Sequence, residues 1–203
     1  MKYDSHRHHR RSTRLRGYDY TRAGTYFLTI CTFERECVFG DVVDGVMRLS
    51  EVGEIVERCW LEIPAHFRHV NLDEFQVMPN HLHGIVHIVG TRHAVSLQNR
   101  TEEQFCKPVS GSISTIIRSF KSAVSNVAHT REFNEFAWQP RFHDRIIRNH
   151  KELENVRKYI RDNPENWASD ENNPATMLPR HPHIPLHKKP PSLPHRNVDA
   201  DSR

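Results

Sequence analysis

The sequence predicts an α+β domain, with helices packed on one face of an antiparallel sheet, and three observations predict it. A run rich in β-branched and aromatic residues, Thr25-Tyr-Phe-Leu-Thr-Ile-Cys-Thr-Phe33, reads as a buried strand. Two segments carry apolar residues at helical spacing: Val52, Ile55, Val56, Trp60 and Ile63, then Ile113, Ile116, Ile117, Phe120, Val124 and Val127. Between them lie further strand-like runs, so strands and helices alternate along the chain.

Taken in order, the first strand spans 25–33. Short strands at Phe39 and Met47-Arg-Leu49 flank a turn at Asp44-Gly45. Ser50 is placed to cap a helix over 51–63. Phe75-Gln-Val-Met78 and His81-Leu-His-Gly-Ile-Val-His-Ile88 read as two strands joined at Pro79-Asn80, and the polar stretch 91–110 as a loop. A helix follows over 112–129, then a strand from Trp138 to Ile147. The last helix runs from Lys151 to Asp162 and ends before Pro164.

The chain has 203 residues, enough for one domain with a real core. Its apolar share is 36 %, and even with the 8 glycines added it falls short of the ~45–50 % usual for a globular chain. The shortfall is concentrated at the ends. Residues 1–16 are basic and His-rich, and read as a flexible arm rather than a secretory signal. Residues 169–203 hold most of the 12 prolines and read as an extended or disordered tail. The folded unit is expected over 17–168.

No apolar run is long enough for a membrane span. Four scattered cysteines without a CxxC pair argue against a disulfide framework or zinc finger, and for a cytoplasmic setting. The net charge of +4 is unevenly laid out: 17–104 carries an acidic excess, whereas 105–161 and both ends carry basic ones. Such a layout fits a nucleic-acid footprint, and equally a solvated surface with basic tails.

His81 and His83 are spaced i, i+2, so on a strand both imidazoles point to one face. That pair can hold a divalent cation or donate to a phosphate. With 16 histidines, about one His-x-His pair is expected by chance, so spacing alone is weak. The pair is distinguished by lying inside an apolar strand, where an unsatisfied polar group costs free energy. In the last helix Leu153, Val156 and Ile160 form an apolar stripe, with Tyr159 and Asn163 at its edge. Each is ordinary alone. A phenol facing two imidazoles and an amide, however, suits metal-assisted attack on a phosphodiester.

The chain resembles the HUH single-tyrosine nucleases, specifically the REP-associated tyrosine transposases, relatives of the single-strand insertion-sequence transposases. The resemblance is carried by Gly17-Tyr-Asp-Tyr20, Gly24-Thr-Tyr-Phe27, Thr29-Ile-Cys31, Met78-Pro-Asn-His-Leu-His-Gly84 and Ser119-Phe-Lys121. It continues through Trp138-Gln139, Arg145-Ile-Ile-Arg-Asn149 and Tyr159-Ile160 with Asn163-Pro164, in family order over about 17–167. It implies a ferredoxin-like antiparallel sheet with helices on one face. His81 and His83 match the histidines that bind Mg²⁺ or Mn²⁺. Tyr159 matches the nucleophile. Asn163 stands at the third metal-ligating position, where single-strand insertion-sequence relatives often carry Gln.

The implied activity is single-stranded DNA cleavage and strand transfer at REP-type palindromic hairpins, through a 5′-phosphotyrosine intermediate. DNA contacts are expected from Arg118 and Lys121, with Ser122 and Ser125 beside them, and from Arg141, Arg145 and Arg148. Arg14 and Arg16 of the basic arm are further candidates. His87, His143 and Asp144 are candidates to take the tyrosine proton. The expected partner is therefore a DNA hairpin near the nucleoid, with no membrane, no small-molecule substrate and a monomer as the default. Two other readings remain open at this stage: a non-catalytic protein that occupies palindromes, and an RNA-binding or ribonucleolytic module.

Overall fold

A computed structural model describes residues 22–89 and 110–176. Four strands form one antiparallel sheet: β1 (Gly24–Cys31), β4 (Val70–Met78), β5 (His81–Ile88) and β6 (His143–Ile147). Their spatial order is β4-β5-β1-β6, with β1 paired antiparallel to both β5 and β6. Two connecting helices, α1 (Glu51–Leu61) and α3 (Ile113–Thr130), complete a βαββαβ path, the ferredoxin-like arrangement. A hairpin of β2 (Gly40–Val43) and β3 (Val46–Leu49) is inserted before α1, and the single-turn α2 (Ile63–His66) follows it. The hairpin turns at Asp44 (φ 52°) and Gly45 (φ 74°), the two positive φ values that a tight two-residue turn requires.

Strand alternation divides the side chains between two faces. Tyr26, Leu28, Ile30, Leu82, Val86 and Ile88 point to the face covered by α1 and α3 and are buried there. The helices contribute Val52, Ile55, Val56 and Trp60, then Ile113, Ile116, Ile117, Phe120 and Val124. Ser50 and Ser112 cap the two helices, each hydroxyl accepting a backbone N–H from the first turn. Gly84 is required on this face because a Cβ there would lie 2.3 Å from Cζ2 of Trp60, a fully buried ring. Gly84→Ala should therefore destabilise the fold by about 1–3 kcal/mol, the usual cost of overpacking. Thermal unfolding checks this, and a melting point equal to that of the wild type would contradict it.

The other face carries Phe27, Ile85, Ile147 and the two histidines, and a fourth helix packs on it. Helix α4 (His150–Asp162) is capped by Asn149, whose Oδ1 accepts from Glu152 N, and buries Val156 and Ile160 against Ile85 and Ile147. The sheet thus has its two crossover helices on one face and α4 alone on the other.

Charged contacts also tie α4 to β4. The Arg157 guanidinium holds both oxygens of Asp73, on β4, at 2.9 and 2.6 Å, and His87 Nε2 lies 2.8 Å from the same carboxylate. These hydrogen bonds hold the Asp73 carboxyl well below the usual carboxylate range. A depressed folded-state pKa contributes stability above the unfolded value, near ~4, that is lost as pH falls toward the folded one. Acid unfolding should therefore be steeper in the wild type than in Arg157→Ala below about pH 4. The substitution should also cost about 1.5–3 kcal/mol at neutral pH. Parallel urea titrations at pH 7 and pH 3 measure both differences, and equal slopes would contradict the assignment.

Several elements differ in extent from the sequence expectation. The first strand ends at Cys31 instead of Phe33, because Glu34 and Arg35 take positive φ values (51° and 61°) and turn the chain. The strand expected from Trp138 is confined to His143–Ile147; Pro140 interrupts it, and Trp138 keeps only an isolated bridge to Thr32. β4 starts earlier, at Val70. A bulge between Leu72 and Phe75, at Asp73 and Glu74, breaks the alternation that would have marked it. Beyond α4 the packed chain continues past the expected boundary at 168. A short 3₁₀ turn (Trp167–Ser169) leads into buried Asp170, Asn172 and Asn173, and description ends at 176.

Candidate functional site

Across from α1 and α3, the register of β1, β5 and β6 gathers a set of polar side chains in an apolar surround. His81 pairs with Cys31 and His83 with Thr29, so both imidazoles share this face, and both are almost wholly buried. Their ring centroids are 4.4 Å apart. His83 Nδ1 lies 3.0 Å from Thr29 Oγ1, and its Nε2 lies 3.3 Å from the hydroxyl of Tyr159. Phe27 stacks on His83 at 5.2 Å and meets the Tyr159 ring edge-on at 6.0 Å. The tyrosine is accordingly held between two rings, yet it remains 44 % exposed and open to a large substrate.

The third side comes from the chain after α4. Asp170, buried, offers a carboxylate oxygen such that donor atoms of His81, His83 and Asp170 all lie within 4.8 Å of one another. Asn163, the last-turn amide predicted beside Tyr159, donates from Nδ2 to Asp170 Oδ2 at 3.0 Å. Asp170 Oδ1 accepts from the backbone of Asn172 at 2.6 Å. Two buried atoms in this cluster have no hydrogen-bond partner: His81 Nε2 and Asn163 Oδ1. Buried acceptors without a partner are costly unless something occupies the space between them. Two imidazole nitrogens, a carboxylate and an amide oxygen fit a divalent cation such as Mg²⁺ or Mn²⁺.

Electrostatics agrees with that donor set. Burial keeps the His81 imidazole neutral by pushing its pKa far below the ordinary value, with the neighbouring His83 adding to the effect. His83 is lowered to about 4, again mainly by burial. Neutral imidazoles are the ligand form. Tyr159 is pushed up to about 12 by burial and then by the negative charges of Asp170 and Glu171, with Asn163 acting in the opposite direction. Its hydroxyl is therefore protonated at neutral pH.

Tyr159 stands between two grooves of about 580 Å³ each. One is bounded by Phe27, Arg145, Asn149, Lys151 and Glu152, the other by Lys158, Asp162, Asn163, Asp170 and Glu171. Asn155 borders both. The first holds more positive than negative charge, and the second the reverse.

The structure thus brings His81, His83, Tyr159 and Asn163 together, and adds Asp170. The basic candidates are dispersed. Arg145 lies on the Tyr159 face, ion-paired to Glu152, and Arg148 is exposed next to it. Arg118 is exposed on α3, across the sheet from Tyr159. Lys121 Nζ donates to the carbonyls of Gln139 (2.6 Å) and Arg141 (3.1 Å), with Trp138 beneath it, so it braces the approach to β6. Arg141 is exposed; Ser122 is exposed and Ser125 half-buried. Arg14 and Arg16 lie outside the described residues. Of the proton-acceptor candidates, His87 is engaged by Thr25 and Asp73, Asp144 is buried, and His143 pairs with Thr29 on the His83 face.

The sheet order and helix placement define a ferredoxin-like antiparallel fold, on which a histidine pair on a central strand faces a tyrosine on a helix. A search against family models gave no match. In fold the chain is like a REP-associated tyrosine transposase solved bound to a REP hairpin. The TM-score is 0.51 and the identity 20 %, over 77 % of this chain and 74 % of that one. The chain belongs to the same family as an uncharacterized protein of Haemophilus influenzae, 39 % identical over 173 residues, which are 84 % of this chain and 96 % of that protein. Among the described residues no helix is long and apolar enough to cross a membrane.

Proposed function

We propose that the protein is a metal-dependent endonuclease and strand transferase that acts on single-stranded DNA bearing palindromic hairpins of the REP type, with Tyr159 as nucleophile. The observation that carries this reading is the Tyr159 hydroxyl lying 3.3 Å from His83 Nε2, beside a histidine–carboxylate cluster with unpartnered buried acceptors. Nothing in a protein that only occupies DNA needs a phenol, two neutral imidazoles and a buried carboxylate held together.

The chemistry follows from the chain's own groups. Tyr159 Oη attacks phosphorus as its proton passes to solvent, the bond from phosphorus to the 3′ oxygen breaks, that oxygen takes up a proton from water, and a 5′-phosphotyrosine and a free 3′-hydroxyl result. The phosphodiester bond energy is retained, so the 3′-hydroxyl of another strand can reverse the step without ATP. A divalent cation held by His81, His83 and Asp170, with Asn163 Oδ1 beside it, would polarise a non-bridging phosphate oxygen. Phe27 and His83 fix the ring of Tyr159, so the nucleophile is positioned before substrate arrives. The groove of Phe27, Arg145 and Lys151 suits an approaching polyanion, and Arg148 extends its positive side. Arg14, Arg16, Arg118 and Arg141 remain proposed contacts for parts of the DNA away from the cut.

The test is incubation with end-labelled hairpin oligonucleotides and Mg²⁺ or Mn²⁺, read on a denaturing gel. The account expects a protein-linked 5′ product and a free 3′-hydroxyl product, both requiring metal. Ribonucleotides at the cut should leave the yield intact, because attack by a phenol needs no 2′-hydroxyl. Tight, metal-independent binding without cleavage on hairpins of several sequences would instead favour occupancy of palindromes.

A further inference from the structure

Next to the reacting groups, one buried amide has its orientation dictated by its surroundings. Asn80 is the second residue of the turn between β4 and β5, and it is fully buried. Its Nδ2 donates to the carbonyl oxygen of Arg35 at 2.9 Å and to that of Asn172 at 2.8 Å. Only the nitrogen end of an amide can face two carbonyls, so the oxygen end must point the other way. There Oδ1 lies 2.8 Å from His81 Nδ1. An amide oxygen only accepts, so Nδ1 carries the proton. An imidazole that ligates a cation is neutral and has one N–H, so with Nδ1 protonated its lone pair is on Nε2. Nε2 is the buried atom without a partner, within the cluster completed by His83 and Asp170.

The two carbonyls are themselves held in place. Arg35 is a non-glycine residue at φ 61°, and its guanidinium binds the Asn172 side chain. Asn172 in turn donates its backbone N–H to Asp170. Such a left-handed residue persists only where its surroundings over-determine it. Asn80 therefore joins three things: the histidine strand, the turn after β1, and the segment that delivers Asp170.

We propose that Asn80 is a positioning residue that locks His81 in the Nδ1–H tautomer, aims its Nε2 at a divalent cation, and ties the Asp170 segment to the same turn. This rests on the metal site of the proposed function, and it assigns a task to a residue that touches neither cation nor DNA. Residues of this kind typically alter metal affinity by about 10–100-fold when removed.

The test uses the full chain labelled with ¹⁵N-histidine and free of metal. Long-range ¹H–¹⁵N correlation spectra report the tautomer, and comparison with His81→Ala assigns the resonance. Mn²⁺ uptake is followed separately by electron paramagnetic resonance. The wild type should show His81 as Nδ1–H. Asn80→Ala should populate the Nε2–H form and weaken Mn²⁺ binding by about 10–100-fold. Asn80→Asp keeps an acceptor for Nδ1–H but loses the N–H₂ that faces two carbonyls, so it should keep the tautomer at a lower melting temperature. A wild-type His81 in the Nε2–H form overturns the proposal without recourse to any variant. Mn²⁺ binding unchanged in Asn80→Ala overturns the Asn80 assignment alone. A wild type with the Nδ1–H tautomer that takes up no Mn²⁺ overturns the metal reading, and with it the purpose given to Asn80.

Discussion

Replacing Tyr159 with Phe should abolish covalent capture and cleavage of hairpin DNA while leaving the protein folded and able to bind it. The hydroxyl is the only group lost; it lies 3.3 Å from His83 Nε2 and also interacts with the Asn163 side chain. Loss of a nucleophile in a site that acts as a unit lowers turnover by on the order of 10⁴-fold or more. Stability should change by no more than about 1–2 kcal/mol, since only hydrogen bonds of a half-exposed hydroxyl are removed. Mn²⁺ affinity supplies the discriminating readout. The phenol and a cation compete for the same Nε2 lone pair, so removing the phenol should leave affinity unchanged or raise it a few-fold. A large fall in affinity would mean that Tyr159 itself ligates the ion, contrary to the account.

Asp170→Asn should weaken Mn²⁺ binding by at least about 100-fold, more than outer residues of a metal site usually contribute. The carboxylate is the one buried negative charge in the cluster, and it sits among neutral imidazoles. Its oxygens also accept from Asn163 Nδ2 and the Asn172 backbone, so an amide there must turn one N–H₂ toward a donor. Cleavage should fall in step with metal occupancy and recover partly at high Mn²⁺. Binding of hairpin DNA, which depends on the basic groups, should persist. Isothermal titration with Mn²⁺ and a gel assay over a range of metal concentrations measure both effects. Full activity of Asp170→Asn at low metal would contradict the assignment and return the third position to Asn163 alone.

The elements that carry strong periodicity were legible from sequence. The stripes of α1 and α3, the run of β1 and the alternation of β5 gave the sheet and the helices over one of its faces. The side on which α4 packs was not legible, because Val156 and Ile160 form an apolar stripe that fits either face. What decides it is the pairing of Arg157 and Arg161 with Asp73 and Glu74, long-range contacts that local spacing does not encode. The same bulge at Asp73 hid the first half of β4.

In the site, His81, His83, Tyr159 and Asn163 are each ordinary by position, and the sequence singled them out through the family blocks that contain them. Asp170 was not singled out. It follows a proline-terminated helix in a run of Asp, Asn and Glu that resembles any polar loop, and composition placed it in the tail. The one hint was Trp167, an apolar anchor just before it, whose ring lies 6.0 Å from that of His81. Lys121 has surroundings that its spacing does not reveal. A lysine on a helix face reads as a phosphate contact, but its ammonium is bonded to two backbone carbonyls.

The central claim is that Tyr159 forms a phosphodiester with the 5′ end of a cleaved single strand. The measurement that addresses it directly is proteolysis of the product trapped on a hairpin substrate with Mn²⁺, followed by tandem mass spectrometry of the nucleotide-bearing peptide. The account predicts a single modified peptide, the modification on Tyr159 and a 5′-phosphate linkage. A linkage to another residue, or cleavage that leaves no protein-bound nucleotide, would contradict it.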